Sequence, residues 1–178
     1  MTEVPPDARP AARSERVPEV RIDAVSPKSP AAAWTLARYF EELARRFEEG
    51  FDPAKSVVPD ASELAPPDGV FLVVSVDGRW VGCGGVKRVD PQTGYIKRMW
   101  IDGSMRGLGL GRRLLEALER AAVDLGCSVA QLETNRALKE AVRLYRRSGY
   151  EEVAPFNDEP YAHHWFERRL IEPEAQSR

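Results

Sequence analysis

Only two cysteines and two histidines occur in the 178 residues. Cys83 and Cys127 fall in expected strands or at a strand start, and they read as buried, reduced thiols of a cytosolic protein. His163 and His164 are neighbours on an expected strand. Their side chains leave opposite faces, so no metal site is expected. Missing too is any apolar run approaching the ~20 residues that cross a bilayer. The N-terminus carries no apolar signal core. The expectation is a cytoplasmic protein with no membrane partner. Charge of one sign is also lacking: 26 Lys and Arg stand against 28 Asp and Glu, for a net charge of -2. That argues against a nucleic-acid partner held on a basic face. What is present, 43% hydrophobic and 30% charged residues, suits one globular domain with a sizeable core.

One stretch organises the chain: Tyr95 to Leu125, YIKRMWIDGSMRGLGLGRRLLEALERAAVDL. It reads as a strand over Tyr95 to Ile101, a Gly-rich turn over Arg106 to Gly111, and a helix. From Leu110 the apolar residues Leu114, Leu115, Leu118 and Leu125 keep helical spacing. A helix start offers unpaired backbone N–H groups and the positive end of the dipole. Glycines admit unusual φ and a close approach. Together these make an anion site, to which Arg106 and Arg112 add cationic donors. A dinucleotide fingerprint fails because position 112 is Arg, and a nucleotidase phosphate loop fails for want of its Lys.

The rest of the chain falls into place around that stretch. Residues 1 to 18, rich in Pro, Ala, Arg and Glu, predict a disordered arm. The domain is expected over 19–171, with a polar tail over 172–178. Glu19 to Val25 alternates like a strand. Ser29-Pro30 opens a helix closed near Gly50. Asp52 to Asp68 is expected to be a loop with room for a short helix, and it reads equally as a wall of a substrate site or as a solvated connector. Val70 to Val76, Asp77-Gly78 and Arg79 to Val89 form a hairpin. Gly82, Gly84 and Gly85 mark a bulge or a close approach. Ser128 to Thr134 is a strand, Asn135 to Arg147 a helix, and Tyr150 to Ala154 and His163 to Leu170 the last two strands. A strand, a crossover helix and a strand make a right-handed parallel unit. The fold class is therefore α/β, with a mixed, mostly antiparallel sheet, parallel in the middle.

Two blocks carry a family resemblance. The first is Ile-Lys-Arg-Met-Trp-Ile followed by Arg-x-x-Gly-x-Gly, residues 96–111. The second is Leu132-Glu133-Thr134-Asn135 followed by Ala141 to Tyr150, AVRLYRRSGY. At this separation they resemble the GNAT superfamily of N-acetyltransferases over about residues 19 to 171. The resemblance implies six to seven strands, central strands splayed into a V, about four helices, and acetyl-CoA as co-substrate.

It further implies an acceptor that is a primary amine, with a small molecule favoured because no peptide-reading module is visible. Family habit adds a homodimer. By resemblance, Met99, Trp100 and Ile101 would pair with the pantetheine, the Ile101 N–H would polarise the thioester carbonyl, and Asn135 would touch the pantetheine arm. Arg106, Gly107, Leu108, Gly109, Leu110, Gly111 and Arg112 would hold the pyrophosphate, and Tyr145 would face the sulfur as general acid. Many relatives carry Glu where this chain has Tyr95, so the general base is unassigned. Glu133, Asp158, Glu159, His163 and His164 are the candidates, with water relaying the proton as a further route. The missing Glu also supports a rival reading, a non-catalytic acyl-CoA-binding module.

Overall fold

The computed structural model describes residues 16–57 and 60–171. Most of the expected arm over 1–18, and the tail over 172–178, lie outside these. Seven strands and three α-helices form the domain: β1 (Val20–Val25), α1 (Pro30–Arg46), β2 (Gly69–Val76), β3 (Arg79–Arg88), β4 (Thr93–Ile101), α2 (Leu110–Asp124), β5 (Val129–Thr134), α3 (Lys139–Arg147), β6 (Glu151–Val153) and β7 (His164–Arg169). Three short 3-10 turns join them, two of them inside the long loop after α1. The sheet runs β1-β2-β3-β4-β5-β7-β6. Among the described residues only β4 and β5 pair in parallel.

Local chemistry sets the boundaries. The Ser29 hydroxyl accepts from Ala32 N at 3.2 Å, Pro30 takes the first helical position, and Gly50 sits at φ +72 beyond the helix end. Asp77 and Gly78 both take positive φ, as the mirror-image hairpin turn demands. α3 starts at Lys139, four residues later than its apolar pattern suggests. The Asn135 carboxamide oxygen accepts from Ala137 N at 2.8 Å, and this local turn competes with helix.

Alternation divides the core between the two faces of the sheet. Phe71 and Val73 of β2 pack with Ala32 and Leu36 of α1. Leu72, Val74 and Val76 pack with Leu114 and Leu118 of α2 on the other side. The β3 glycines permit this crowding: a Cβ at Gly85 would lie 2.5 Å from Leu64 Cδ1, and one at Gly84 2.8 Å from Leu118 Cδ1. Leu64, from the loop after α1, is fully buried, so that loop is a packed element. Cys83 and Cys127 are free and buried, and burial pushes the Cys83 thiol up to about 12.

Two irregularities open the sheet. The β3–β4 register slips between Cys83 and Gly85, with Arg98 at φ +60, so β4 carries one extra residue. The parallel β4–β5 pairing covers three residue pairs, from Thr93↔Val129 to Tyr95↔Gln131. Beyond Tyr95 the strands diverge.

Candidate active site

Divergence of β4 from β5 creates a cleft with two connected compartments. The inner one, about 80 Å³, lies between the strands and under the loops around residues 51–56 and 159–162. The outer one, about 570 Å³, runs from β4 to the start of α2 and along α3. Both are lined by Tyr39, Leu43, Met99, Leu138, Ala141 and Tyr145.

The outer compartment ends on the Gly-rich turn. Gly107 and Gly109 hold φ +81 and +76, and a Cβ at either would meet nothing within 4 Å. The backbone conformation is thus what calls for glycine here. Gly109 is the N-cap of α2, with no side-chain hydrogen bond to the helix end. The first intrahelical bond from this cap is Arg113 N to Gly109 O at 3.2 Å. The N–H groups ahead of it have no partner inside the helix. This uncapped end beside a large cavity fits a pyrophosphate.

The expected cofactor residues separate by position. Met99, Trp100, Ile101, Arg106, Gly107, Gly109, Gly111 and Arg112 all line the outer compartment. Leu108 is 65% exposed, and the Leu110 side chain is buried in the core, so each offers the site its backbone alone. The Arg106 guanidinium meets Glu42 of α1 at 2.5 Å, and Arg112 pairs with Glu116 at 3.1 Å. Arg46 clasps Glu140, which places α1 and α3 in contact across the cleft. Arg143 and Arg147 of α3 also line the outer compartment. They follow helical spacing on the cleft side of α3, a signal that the sequence reading passed over.

Backbone alternation places Ile101 usefully. Asp102 N donates to Val81 O at 2.7 Å, so residue 102 faces β3. Its neighbour Ile101, opposite Gly82 in the register, therefore turns its N–H to the open edge. Tyr145 is 5% exposed, and its hydroxyl points at Met99 Sδ, 3.9 Å away. Burial, reinforced by the charges of Glu133 and Glu140, raises this hydroxyl above the usual phenol range. Asn135 lines the inner compartment, but its amide nitrogen already donates to Tyr161 O at 2.8 Å.

The inner compartment holds a polar cluster that the sequence disperses. Lys97 Nζ meets Glu133 Oε1 at 3.0 Å, Glu159 Oε2 at 2.8 Å and Ser56 Oγ at 3.0 Å. The Tyr95 hydroxyl donates to Glu133 and accepts from Asn157 Nδ2 at 3.1 Å. Asn157 Oδ1 in turn accepts from Trp165 Nε1 at 2.9 Å. Burial pushes the Glu159 carboxyl up, but Lys97, Val57 N and Ser56 outweigh it and hold the group below the ordinary range.

Of the five candidate bases, Glu133 and Glu159 line the cleft. Asp158 is exposed to solvent. His163 Nδ1 accepts from Arg136 N at 3.2 Å, and His164 pairs with Glu152 at 2.6 Å. The order of the sequence had hidden Lys97, Ser56 and Asn157.

A family model described as Acetyltransferase (GNAT) family matches residues 36–150. An IAA acetyltransferase of Azospirillum brasilense is 35% identical over 82% of this chain and 92% of its own. A GNAT-family acetyltransferase structure from Staphylococcus aureus superposes with a TM-score of 0.73 at 18% identity, covering 86% of this chain and all of that one. An aminoglycoside 6'-N-acetyltransferase structure complexed with coenzyme A gives 0.65 at 15% identity, covering 86% of this chain and 98% of its own. These last two likenesses concern the fold. By the family match and the close relative, the chain is an acyltransferase belonging to the GNAT acetyltransferase family.

Proposed function

We propose that the protein moves an acetyl group from acetyl-CoA to a primary amine of a small molecule, by direct attack in a ternary complex. One observation carries the reading: the uncapped glycine start of α2 opens on the same cavity as the Tyr145 hydroxyl and the free edge of β4. The fold neighbour complexed with coenzyme A supports it. The small volume of the inner compartment favours a small acceptor over a folded one.

Acetyl-CoA supplies an activated acyl group as a thioester. The chain's own groups do the rest. The N–H groups at the start of α2 bind the pyrophosphate, with Arg112, Arg143 and Arg147 around them. Met99, Trp100 and Ile101 present a strand edge to the pantetheine, and Asn135 sits beside its path. The Ile101 N–H polarises the carbonyl, and a donor aimed at a developing oxyanion is worth about 10²–10³-fold. Tyr145 keeps its proton through the neutral range and is first of all a hydrogen-bond donor to sulfur. It hands that proton over as the C–S bond breaks and takes one from the acceptor nitrogen in return.

Calorimetric titration of acetyl-CoA into the wild type and Gly109→Glu tests this. The new carboxylate would repel the pyrophosphate, so binding is expected in the wild type and lost in the variant. Absence of binding to the folded wild type would overturn the reading. Binding without turnover of any amine would favour the non-catalytic acyl-CoA-binding module.

A further inference from the structure

We propose that Tyr39 of α1 is a catalytic residue of this cleft: its hydroxyl donates to the carbonyl oxygen of the bound thioester and, with the Ile101 N–H, stabilises the oxyanion that forms there. The proposal rests on the acetyltransferase reading above. No motif in the sequence marks Tyr39, which sits in the middle of the first helix. Donor and acceptor can meet only where the two compartments join. Six residues line both compartments: Tyr39, Leu43, Met99, Leu138, Ala141 and Tyr145. Four of these side chains are apolar and two carry a hydroxyl. Among the described residues, the junction is thus flanked by two phenols and no other polar side chain.

The two hydroxyls are engaged differently. Tyr145 points at Met99 Sδ, 3.9 Å away, on the β4 wall. The Tyr39 hydroxyl has no hydrogen-bond partner among the described residues, although a phenol set among apolar neighbours normally finds one. Packing places it. The Tyr39 ring lies against the cluster that contains Trp100 and Cys83. Its neighbour Phe40 lies under the Arg98 guanidinium, 4.8 Å from the ring centroid. Tyr39 therefore stands over the stretch of β4 from Arg98 to Trp100, on the α1 face of the sheet. The Ile101 N–H comes from the strand edge, so the two donors approach from different sides, and an oxyanion can accept from both. Burial raises the Tyr39 phenol above its usual range, and the positive charge of Arg98 pulls the other way without offsetting it. The hydroxyl keeps its proton at neutral pH and acts as a donor. It cannot serve the amine, whose lone pair must stay free to attack. Tyr145 serves the sulfur, and the carbonyl oxygen is left for Tyr39.

Bonds and protons balance without any transfer through Tyr39. The amine attacks in its neutral form. Its lone pair forms the C–N bond, and the carbonyl π pair moves onto oxygen, where the Ile101 N–H and the Tyr39 O–H hold it by hydrogen bonds. The pair returns to re-form C=O as the C–S bond breaks. Sulfur takes the Tyr145 proton, and the acceptor nitrogen returns one to Tyr145. Tyr39 ends as it began, protonated.

The experiment separates the carbonyl oxygen from the leaving group. Acetyl-CoA isotope-labelled at the carbonyl carbon is bound, without acceptor, to the wild type, Tyr39→Phe and Tyr145→Phe. Isotope-edited infrared spectra record the C=O stretch, which falls in frequency when the oxygen accepts hydrogen bonds. Calorimetry gives the affinity, and thiol release with propylamine, phenethylamine and hydroxylamine gives kcat and KM. Removing the Tyr39 hydroxyl strands no protein partner, so the fold is expected to hold, as the melting temperature would show.

Tyr39→Phe is expected to move the bound carbonyl band to higher frequency, while Tyr145→Phe leaves it in place. In Tyr39→Phe, kcat should fall about 10²-fold, the low end for loss of one oxyanion donor. The factor should be the same for every acceptor, because the oxyanion is common to all of them. Acetyl-CoA affinity should stay within about fivefold, since a single bond to a neutral carbonyl is weak. An unmoved band in Tyr39→Phe overturns the assignment. A loss confined to one acceptor, or carried by the acceptor's KM, also overturns it and makes Tyr39 an acceptor-binding residue. Acetyl-CoA binding with no turnover of any amine by the wild type overturns it as well. Failure of the wild type to bind acetyl-CoA is a separate result, which removes the underlying reading and this proposal with it.

Discussion

At the end of the cleft proposed for the phosphates, the floor is backbone, glycines at positive φ and the uncapped start of α2 from one run of six residues, with arginines around it. At the other end it is side chain. Ser56, Tyr95, Lys97, Glu133, Asn157 and Glu159 converge from four segments, and one bond in the cluster spans 103 positions. Backbone donors cannot be mutated away one at a time, but they are easily obstructed. Side chains can be deleted singly, yet each deletion strands a buried partner. The two ends should therefore fail in different ways.

The largest contrast is expected between binding and rate. Tyr145→Phe should reduce kcat by about 10²-fold, the low end for a general acid, and leave acetyl-CoA affinity within about threefold, as calorimetry and steady-state kinetics would show. Unchanged kcat would remove the proton-donor role. At the phosphate end, Gly109→Ala sharpens the contrast with Gly109→Glu. Nothing lies within 4 Å of the new methyl, so only the φ of +76 opposes it. The cost should be about 1–2 kcal/mol of stability, read in denaturant unfolding, with affinity close to wild type. A loss of affinity equal to that of Gly109→Glu would mean that the turn's shape, and not its charge, is what matters.

The side-chain end should also carry an acid dependence of its own. Glu159 is held below its ordinary range in the folded protein. Its contribution is therefore complete above the unfolded value of about 4.3 and is lost as pH falls through the lower folded value. Glu159→Gln removes that term. Its melting temperature should fall less than the wild type's on acidification below about pH 4.5, by about 2–4 °C per kcal/mol for a domain of this size. Parallel acid curves would break the comparison. The smallest effect concerns Glu42, whose carboxylate holds Arg106 at 2.5 Å. Glu42→Gln loosens that guanidinium, which then keeps only Glu140 at 3.9 Å, and should tighten acetyl-CoA by up to about fivefold at low salt, in keeping with a partly exposed pair. The gain should fade as salt is added. Weaker binding in the variant would show that the pair holds the cleft wall in shape.

How legible each end was follows from how it is built. The α2 turn is contiguous, so its glycines, its arginines and its place between strand and helix could be read directly. The Asp77-Gly78 hairpin was equally open, because two consecutive positive φ values need those residues. Tyr95, by contrast, read as a gap. A phenol beside a carboxylate from another strand is visible only once the β4–β5 register is known. Glu133 and Glu159 could both be named as candidates, but that they share Lys97 is visible only in the fold. The arginine expected to reach the phosphates, Arg106, is bound to a glutamate 64 positions away. The loop over 52–68, for which wall and solvated connector stood equal, is anchored through buried Leu64 and lines the inner compartment through Ser56.

The three-residue seam between β4 and β5 has a consequence for mechanics. One sheet is in effect two rafts, β1 to β4 and β5, β7 and β6, moored to each other at one end. On the separated stretch, edge amides such as the Ile101 N–H meet no neighbouring strand among the described residues. Repacking of side chains does not supply those bonds, but an extended molecule with peptide-like amides does, as an added strand. On the proposed reading the berth would select its occupant by amide spacing ahead of side-chain chemistry, and that occupant would tie the two rafts together.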